Sequence, residues 1–181
     1  ISSITTLVNS TVTANTAGST GRGGGARNFG VMNVANSIFS ANQGVASGRE
    51  LFGSFNSLGN NLVRTIGGAA GFFIGTNSDQ IGTAANEIDP LLSPLQDNGG
   101  ETLSHALLVG SPAIDTGNSN GVSFNDQAGS LRLLDGNADG SIAVDIGAIE
   151  YIAPVTTFVV NTTTDTIDAN SLLVTPGFID I

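Results

Sequence analysis

The 181-residue sequence predicts an all-β fold: a solenoid of stacked coils, closed by an irregular C-terminal cap and followed by a β-prone tail. Three observations predict it. The stretch Leu7-Val8-Asn9-Ser10-Thr11-Val12-Thr13-Ala14-Asn15 returns 27 residues later as Val34-Ala35-Asn36-Ser37-Ile38-Phe39-Ser40-Ala41-Asn42, with Asn9/Asn36, Ser10/Ser37, Ala14/Ala41 and Asn15/Asn42 identical. A period of about 20 to 50 residues marks architectures in which each unit covers its neighbour's apolar face. Thr5-Thr6-Leu7-Val8 and Val31-Met32-Asn33-Val34 alternate at period two, the strand pattern, and long helical windows are absent. The 25 glycines, with no Lys, Cys or Trp, suit tight turns between aliphatic layers.

Residues 1–75 read as the coils. With one coil placed directly on the next, Asn9 stacks on Asn36 and Asn15 on Asn42 at a strand spacing of about 4.8 Å, forming side-chain amide ladders along the axis. The glycines of Gly21-Arg22-Gly23-Gly24-Gly25 suit a corner; no Gly-Lys-Ser/Thr follows, so the run is no phosphate loop. The strict repeat stops after Asn42, the nearest later echo being Phe55-Asn56-Ser57-Leu58. Residues 76–152 form an acidic, turn-rich closing region. Its first part, with Ile88-Asp89-Pro90-Leu91-Leu92 and Asp97-Asn98-Gly99-Gly100, is expected to lie over the open end of the stack and shield its edge strands. Residues 153–181 read as a linker and a strand-forming tail, of which Thr156–Thr164 is the most β-prone part. That tail is expected to start a further unit or to add as a strand to a neighbouring copy.

Charge is unevenly divided. Arg22, Arg27, Arg49 and Arg64 face only Glu50 in residues 1–64, whereas Arg132 stands alone against the remaining fourteen acids, for a net charge of −10. This balance disfavours nucleic acid and anionic membranes as partners. No run approaches the roughly 20 apolar residues of a membrane span. Strand-like residues at both ends suggest a piece of a longer chain whose export signal lies elsewhere.

From Asp89 to Gly117 the sequence, including Asp97-Asn98-Gly99-Gly100, His105-Ala106-Leu107-Leu108 and Ser111-Pro112-Ala113-Ile114-Asp115, closely resembles the closing motif of a bacterial surface-protein family. These are the right-handed parallel β-helix proteins of the choice-of-anchor Q type. Asp126-Gln127, Asp145-Ile146-Gly147-Ala148 and Glu150-Tyr151 fit the same pattern, so the resemblance spans roughly residues 5–152. Phe158–Asp168 is similar to the strand and turn that open a CSLREA-type unit, although the Cys and Leu-Arg-Glu of that unit are missing. The resemblance implies a right-handed parallel β-helix, an extracellular or cell-surface location, and a structural or adhesive role without catalysis. Partners are then copies of the chain or neighbouring repeats, and surface glycans.

Among candidate sites, Asp135-Gly136-Asn137-Ala138-Asp139-Gly140-Ser141 matches the Asp-x-Asn-x-Asp-Gly opening of calcium loops, in which alternate oxygens converge on a hard cation. Ile146 occupies the twelfth position in place of Glu, with Asp145 one residue earlier, so an EF-hand is excluded. The expected ligands of a shorter extracellular-type calcium site are Asp135, Asn137, Asp139, Ser141 and Asp145; the competing reading is a series of Asx turns. No catalytic residue is expected. His105, the one histidine, lacks a nucleophile on its own strand face. Carboxylate pairs drawn from Asp79, Glu87, Asp89, Asp97 or Glu101 would serve a polysaccharide-cleaving alternative that only fold analogy supports.

Overall fold

The computed structural model describes residues 4–45, 48–72 and 75–154, and the proposed tail lies outside them. Ten short strands are present: β1 (Ile4–Val8), β2 (Thr11–Thr13), β3 (Ala26–Asn28), β4 (Val31–Ala35), β5 (Ile38–Ser40), β6 (Leu51–Ser54), β7 (Asn56–Gly59), β8 (Leu62–Val63), β9 (Gly68–Ala70) and β10 (Gln80–Ile81). They build three parallel sheets, ordered β1-β4-β7, β2-β5-β8-β10 and β3-β6-β9. Three successive passages of the chain each add one strand to each sheet, and β10 then extends the second sheet alone. The protein is all-β, and no helix among the described residues is long and apolar enough to cross a membrane.

The 27-residue repeat is the register itself, with Ile4 opposite Val31 in the first sheet and Thr11 opposite Ile38 in the second. Each repeated residue has a task at a corner. Asn9 and Asn36 turn the chain with φ of 46°, and Ala14 and Ala41 turn it again with φ of 58° and 55°. Asn enters this left-handed region readily, whereas an alanine there is strained by about 1–2 kcal/mol. Ser10 Oγ donates to the Val8 carbonyl and Ser37 Oγ to that of Ala35, both at 2.8 Å.

Of the two expected amide ladders, the one at Asn15 forms: its Nδ2 donates to Asn42 Oδ1 at 3.0 Å. The one at Asn9 does not. Asn36 turns its side chain outward, donating to the Asn118 carbonyl and accepting the Asn118 amide, both at 2.9 Å. Asn9 Oδ1 is left buried with no hydrogen-bond partner among the described residues. Nor does stacking stop at Asn42; the coils shorten. The corner amide of Ser10 reaches a side-chain oxygen 27 residues on at Ser37, that of Ser37 one 24 residues on at Asn61, and that of Asn61 one 18 residues on at Asp79. Asn56 pairs with Asn33, so the echo of Asn36 is Asn60, which shares its positive φ.

Adjacent residues in a strand point to opposite faces, and in the second sheet both faces are apolar. Phe39 and Val63 enter an inner core with Val34, Leu51, Phe55, Phe72 and Ile81. Ile38 and Leu62 point the other way, into a second cluster with Leu107, Ala113, Ile114 and Ile146. The closing region therefore lies along the outer face of the second sheet, where an end cap was expected. Burial of Ile38 and Leu62 on this side is worth about 1.5–3 kcal/mol each. Polar contacts fix the alignment: Thr11 Oγ1 accepts the Ala148 amide, Asn60 Nδ2 donates to the Thr116 carbonyl, and Gln80 Nε2 donates to the Pro112 carbonyl. Gly147 makes the closest approach at φ 114°, where a Cβ would meet Ile38 Cδ1 and Thr11 Oγ1 at 2.9 Å.

The strained corner gives a direct test. Ala41 is exposed and has a positive φ. Replacing it with glycine relieves the strain and costs some backbone entropy, so Ala41→Gly is expected to stabilise the fold by about 0.5–1 kcal/mol in urea unfolding. The same change at Ala35, which is in a strand, is expected to destabilise it.

Candidate functional site

The closing region draws Asp126, Arg132, Asp145 and Glu150 into one buried joint. Arg132 and Glu150 lie 2.9 Å apart, with only 4% and 1% of their side chains exposed. The guanidinium also donates to the carbonyls of Gly147 and Ala148 and to Ser123 Oγ. Glu150 Oε2 accepts the Asp145 amide at 3.0 Å, while the Glu150 amide donates to Asp126 Oδ2 at 2.9 Å. Asp126 Oδ1 accepts the amides of Ala128 and Ser130. Asp145 in turn accepts the amides of Asp115, at 2.7 Å, and Tyr151. The short segments of the closing region share only scattered backbone hydrogen bonds, and carboxylates accept further amides among them.

Three carboxylates and one arginine share this space. Burial pushes Glu150 up to about 8, aided by the negative charge of Asp145 and opposed by Arg132. Burial likewise raises Asp145 to about 6, against the amides of Asp115 and Tyr151 that favour its charged form. Near neutrality the joint retains a proton that the unfolded chain releases. Its oxygens are directed at backbone amides rather than at a substrate, an arrangement suited to holding segments together.

The sequence-predicted calcium ligands separate into two groups. In the loop, Asp135 accepts the amides of Asp139 and Gly140, Asn137 Oδ1 that of Asp139, and Asp139 Oδ1 that of Ser141. These are the Asx turns of the competing reading, and the amide contacts hold Asp139 below its ordinary carboxylate value. Asp145 stands apart, committed to the joint. Asp115 joins the two by accepting the amides of Gly136 and Asn137. Among the described residues, no group of three or more His, Cys, Asp or Glu side chains is placed to hold a metal. The loop's oxygen donors suit a hard cation by chemistry, and Asp135, Asn137 and Asp139 already accept loop amides.

The remaining candidates are dispersed. His105 Nδ1 contacts the Ser93 carbonyl at 2.7 Å. Asp79 is buried against Ser57 and Asn61, Glu87 pairs with Arg49 and Arg64, and Asp89 and Asp97 cap local turns. An open groove of about 640 Å³ runs between β2 and the closing region, lined in part by Asn9, Thr11, Asp126 and Arg132. Sequence reasoning passed over Arg132, although its signal was present: a lone cation among the acids of residues 65–181.

The joint predicts how stability depends on pH. Because Glu150 and Asp145 have raised values in the fold, their contribution is complete below the ordinary carboxylate range and is lost as pH rises through about 6 and about 8. The free energy of unfolding, followed by urea titration at each pH, is expected to fall as pH rises from about 4 to about 8, by on the order of 1 kcal/mol per pH unit for each group still protonated in the fold. In Glu150→Gln, which mimics the protonated form, thermal unfolding is expected to show a flatter profile over the same range. No protein-family model, curated protein or solved structure matches this chain.

Proposed function

We propose that the chain is a nonenzymatic, right-handed parallel β-helix module of an extracellular bacterial surface or matrix protein, serving as a structural or adhesive element. The observation that carries this reading is the arrangement of three parallel sheets, to which three successive passages of the chain each contribute one strand. Such a stack propagates along one axis by nearest-neighbour contacts and supplies length and stiffness. The buried joint supports it further, since the carboxylates with raised values are enclosed and occupied by backbone amides. The resemblance of residues 5–152 to choice-of-anchor Q proteins agrees with it and supplies the surface location. Residues 153–181 would connect the module to a further unit or to a second copy.

In oriented native material, fibre diffraction is expected to give a meridional spacing of about 4.8 Å, from strands lying across a long axis. Compact particles without that spacing, or turnover of a polysaccharide by the purified chain, would overturn the reading.

Calcium is proposed as a stiffener of the loop at Asp135, Asn137, Asp139 and Ser141, with the weak affinity of extracellular modules. Raising calcium to ten times its dissociation constant is expected to stabilise the chelator-stripped protein by about 1.4 kcal/mol, and Asp139→Asn to abolish the gain. Unchanged melting at millimolar calcium removes the ion from the account.

A further inference from the structure

Three of the five arginines have a carboxyl partner: Arg49 and Arg64 share Glu87, and Arg132 pairs with Glu150. Arg22 and Arg27 have no carboxylate partner among the described residues. Both stack on aromatic rings instead. The Arg22 guanidinium lies 4.9 Å from the centroid of Phe52, and that of Arg27 lies 4.7 Å from Phe29 and 5.9 Å from Phe52. The two rings meet edge to face at 6.4 Å. Arg27 of β3 and its register partner Phe52 of β6 form the centre of the group, with Arg22 before β3 and Phe29 just after it.

Solubility does not require this arrangement. Phe29 is 76% exposed, and both arginines are exposed as well. A guanidinium stacked on a ring keeps its in-plane N–H donors directed outward, fixed in orientation and suited to a carboxylate or sulfate. An exposed aromatic face, for its part, offers apolar contact to the C–H face of a sugar ring.

The geometry points to Arg22, Arg27, Phe29 and Phe52 as a binding platform for an acidic polysaccharide, with uronate carboxylates on the arginines and a pyranose ring on Phe29. Charge complementarity selects the class. The platform is a cationic patch on a protein of net charge −10. A polyuronate carries one charge per sugar on a single chain, a lower axial charge density than that of double-stranded DNA, so it meets less repulsion from the acidic remainder of the chain. The inference deepens the adhesive side of the proposed function and does not depend on assembly into rods.

The test uses the whole chain in affinity electrophoresis, with gels containing polygalacturonate, its fully methyl-esterified form, or double-stranded DNA. Retardation by polygalacturonate alone is expected. It should fall about tenfold in Arg22→Gln/Arg27→Gln and in Phe29→Ala, with melting temperature unchanged because these side chains are exposed. Equal retardation by the methyl ester would overturn the anion contacts. Retardation by DNA at least as strong as by polygalacturonate would overturn the sugar assignment, as would full binding by Phe29→Ala. Sedimentation equilibrium covers the remaining occupant: a dimer dissolved by the double arginine substitution would assign the patch to the acidic surface of a second copy. No retardation of the unsubstituted chain by polygalacturonate, with the 4.8 Å spacing present, refutes the platform alone; retardation without that spacing refutes the stack alone.

Discussion

A chain that winds parallel strands into three sheets must turn corners on every passage, and at each corner a backbone amide leaves the ladder. Buried without a partner, such an amide costs about 1–3 kcal/mol. The solution recurs from coil to coil: the corner amide donates to a side-chain oxygen of the following coil, from Ser10 to Ser37, from Ser37 to Asn61 and from Asn61 to Asp79. A second corner combines one such contact with a local one: the Asn15 amide donates to Asn42 Oδ1 of the following coil, and the Asn42 amide to Glu50 Oε2 of its own coil, whose carboxyl is raised by its burial. Apolar packing of Phe39, Val63 and Ile81 is available only once these contacts exist, because they align the strands that carry those side chains.

The closing region applies the same chemistry to irregular backbone. Strand ladders satisfy amides wholesale, but segments such as Asp145–Tyr151 contain no strand and need individual acceptors. Asp115, Asp126, Asp145 and Glu150 supply them, and Arg132 offsets part of the resulting charge. The acidity of this half is thus largely structural. A carboxylate accepts several amides at once and occupies little volume, at the cost of raised proton affinity where several carboxylates meet.

The coil register and the corner residues were legible in the sequence because the first two coils share both length and residue type. The third coil's register was not, since it keeps the corner asparagine, as Asn60, but neither the coil length nor the residue type that follows it. Ser gives way to Asn and then Asp, each offering an oxygen, while the shortened spacing hides the match. The side cover was missed for a different reason. Ile38-Phe39 and Leu62-Val63 are adjacent apolar pairs, the mark of a strand buried on both faces, but runs of two residues are too short for periodicity to register. The calcium loop was legible as Asx chemistry, yet spacing alone could not reveal that Asp145 was already engaged. The arginine–phenylalanine stack has no linear signature, because Phe52 comes from the following coil.

A stack held only by nearest-neighbour contacts frays from its ends, one coil at a time. Here a single stretch of chain, from Pro112 to Ala148, touches every level of the second sheet: Gln80 of β10 at Pro112, Asn60 beside β8 at Thr116, Asn36 beside β5 at Asn118, and Thr11 of β2 at Ala148. Opening the coil at one end therefore strips contacts from a segment that also clamps the coil at the other. What would be a ladder of independent equilibria becomes one cooperative unit, and a domain of many small strands resists partial unfolding as a single body.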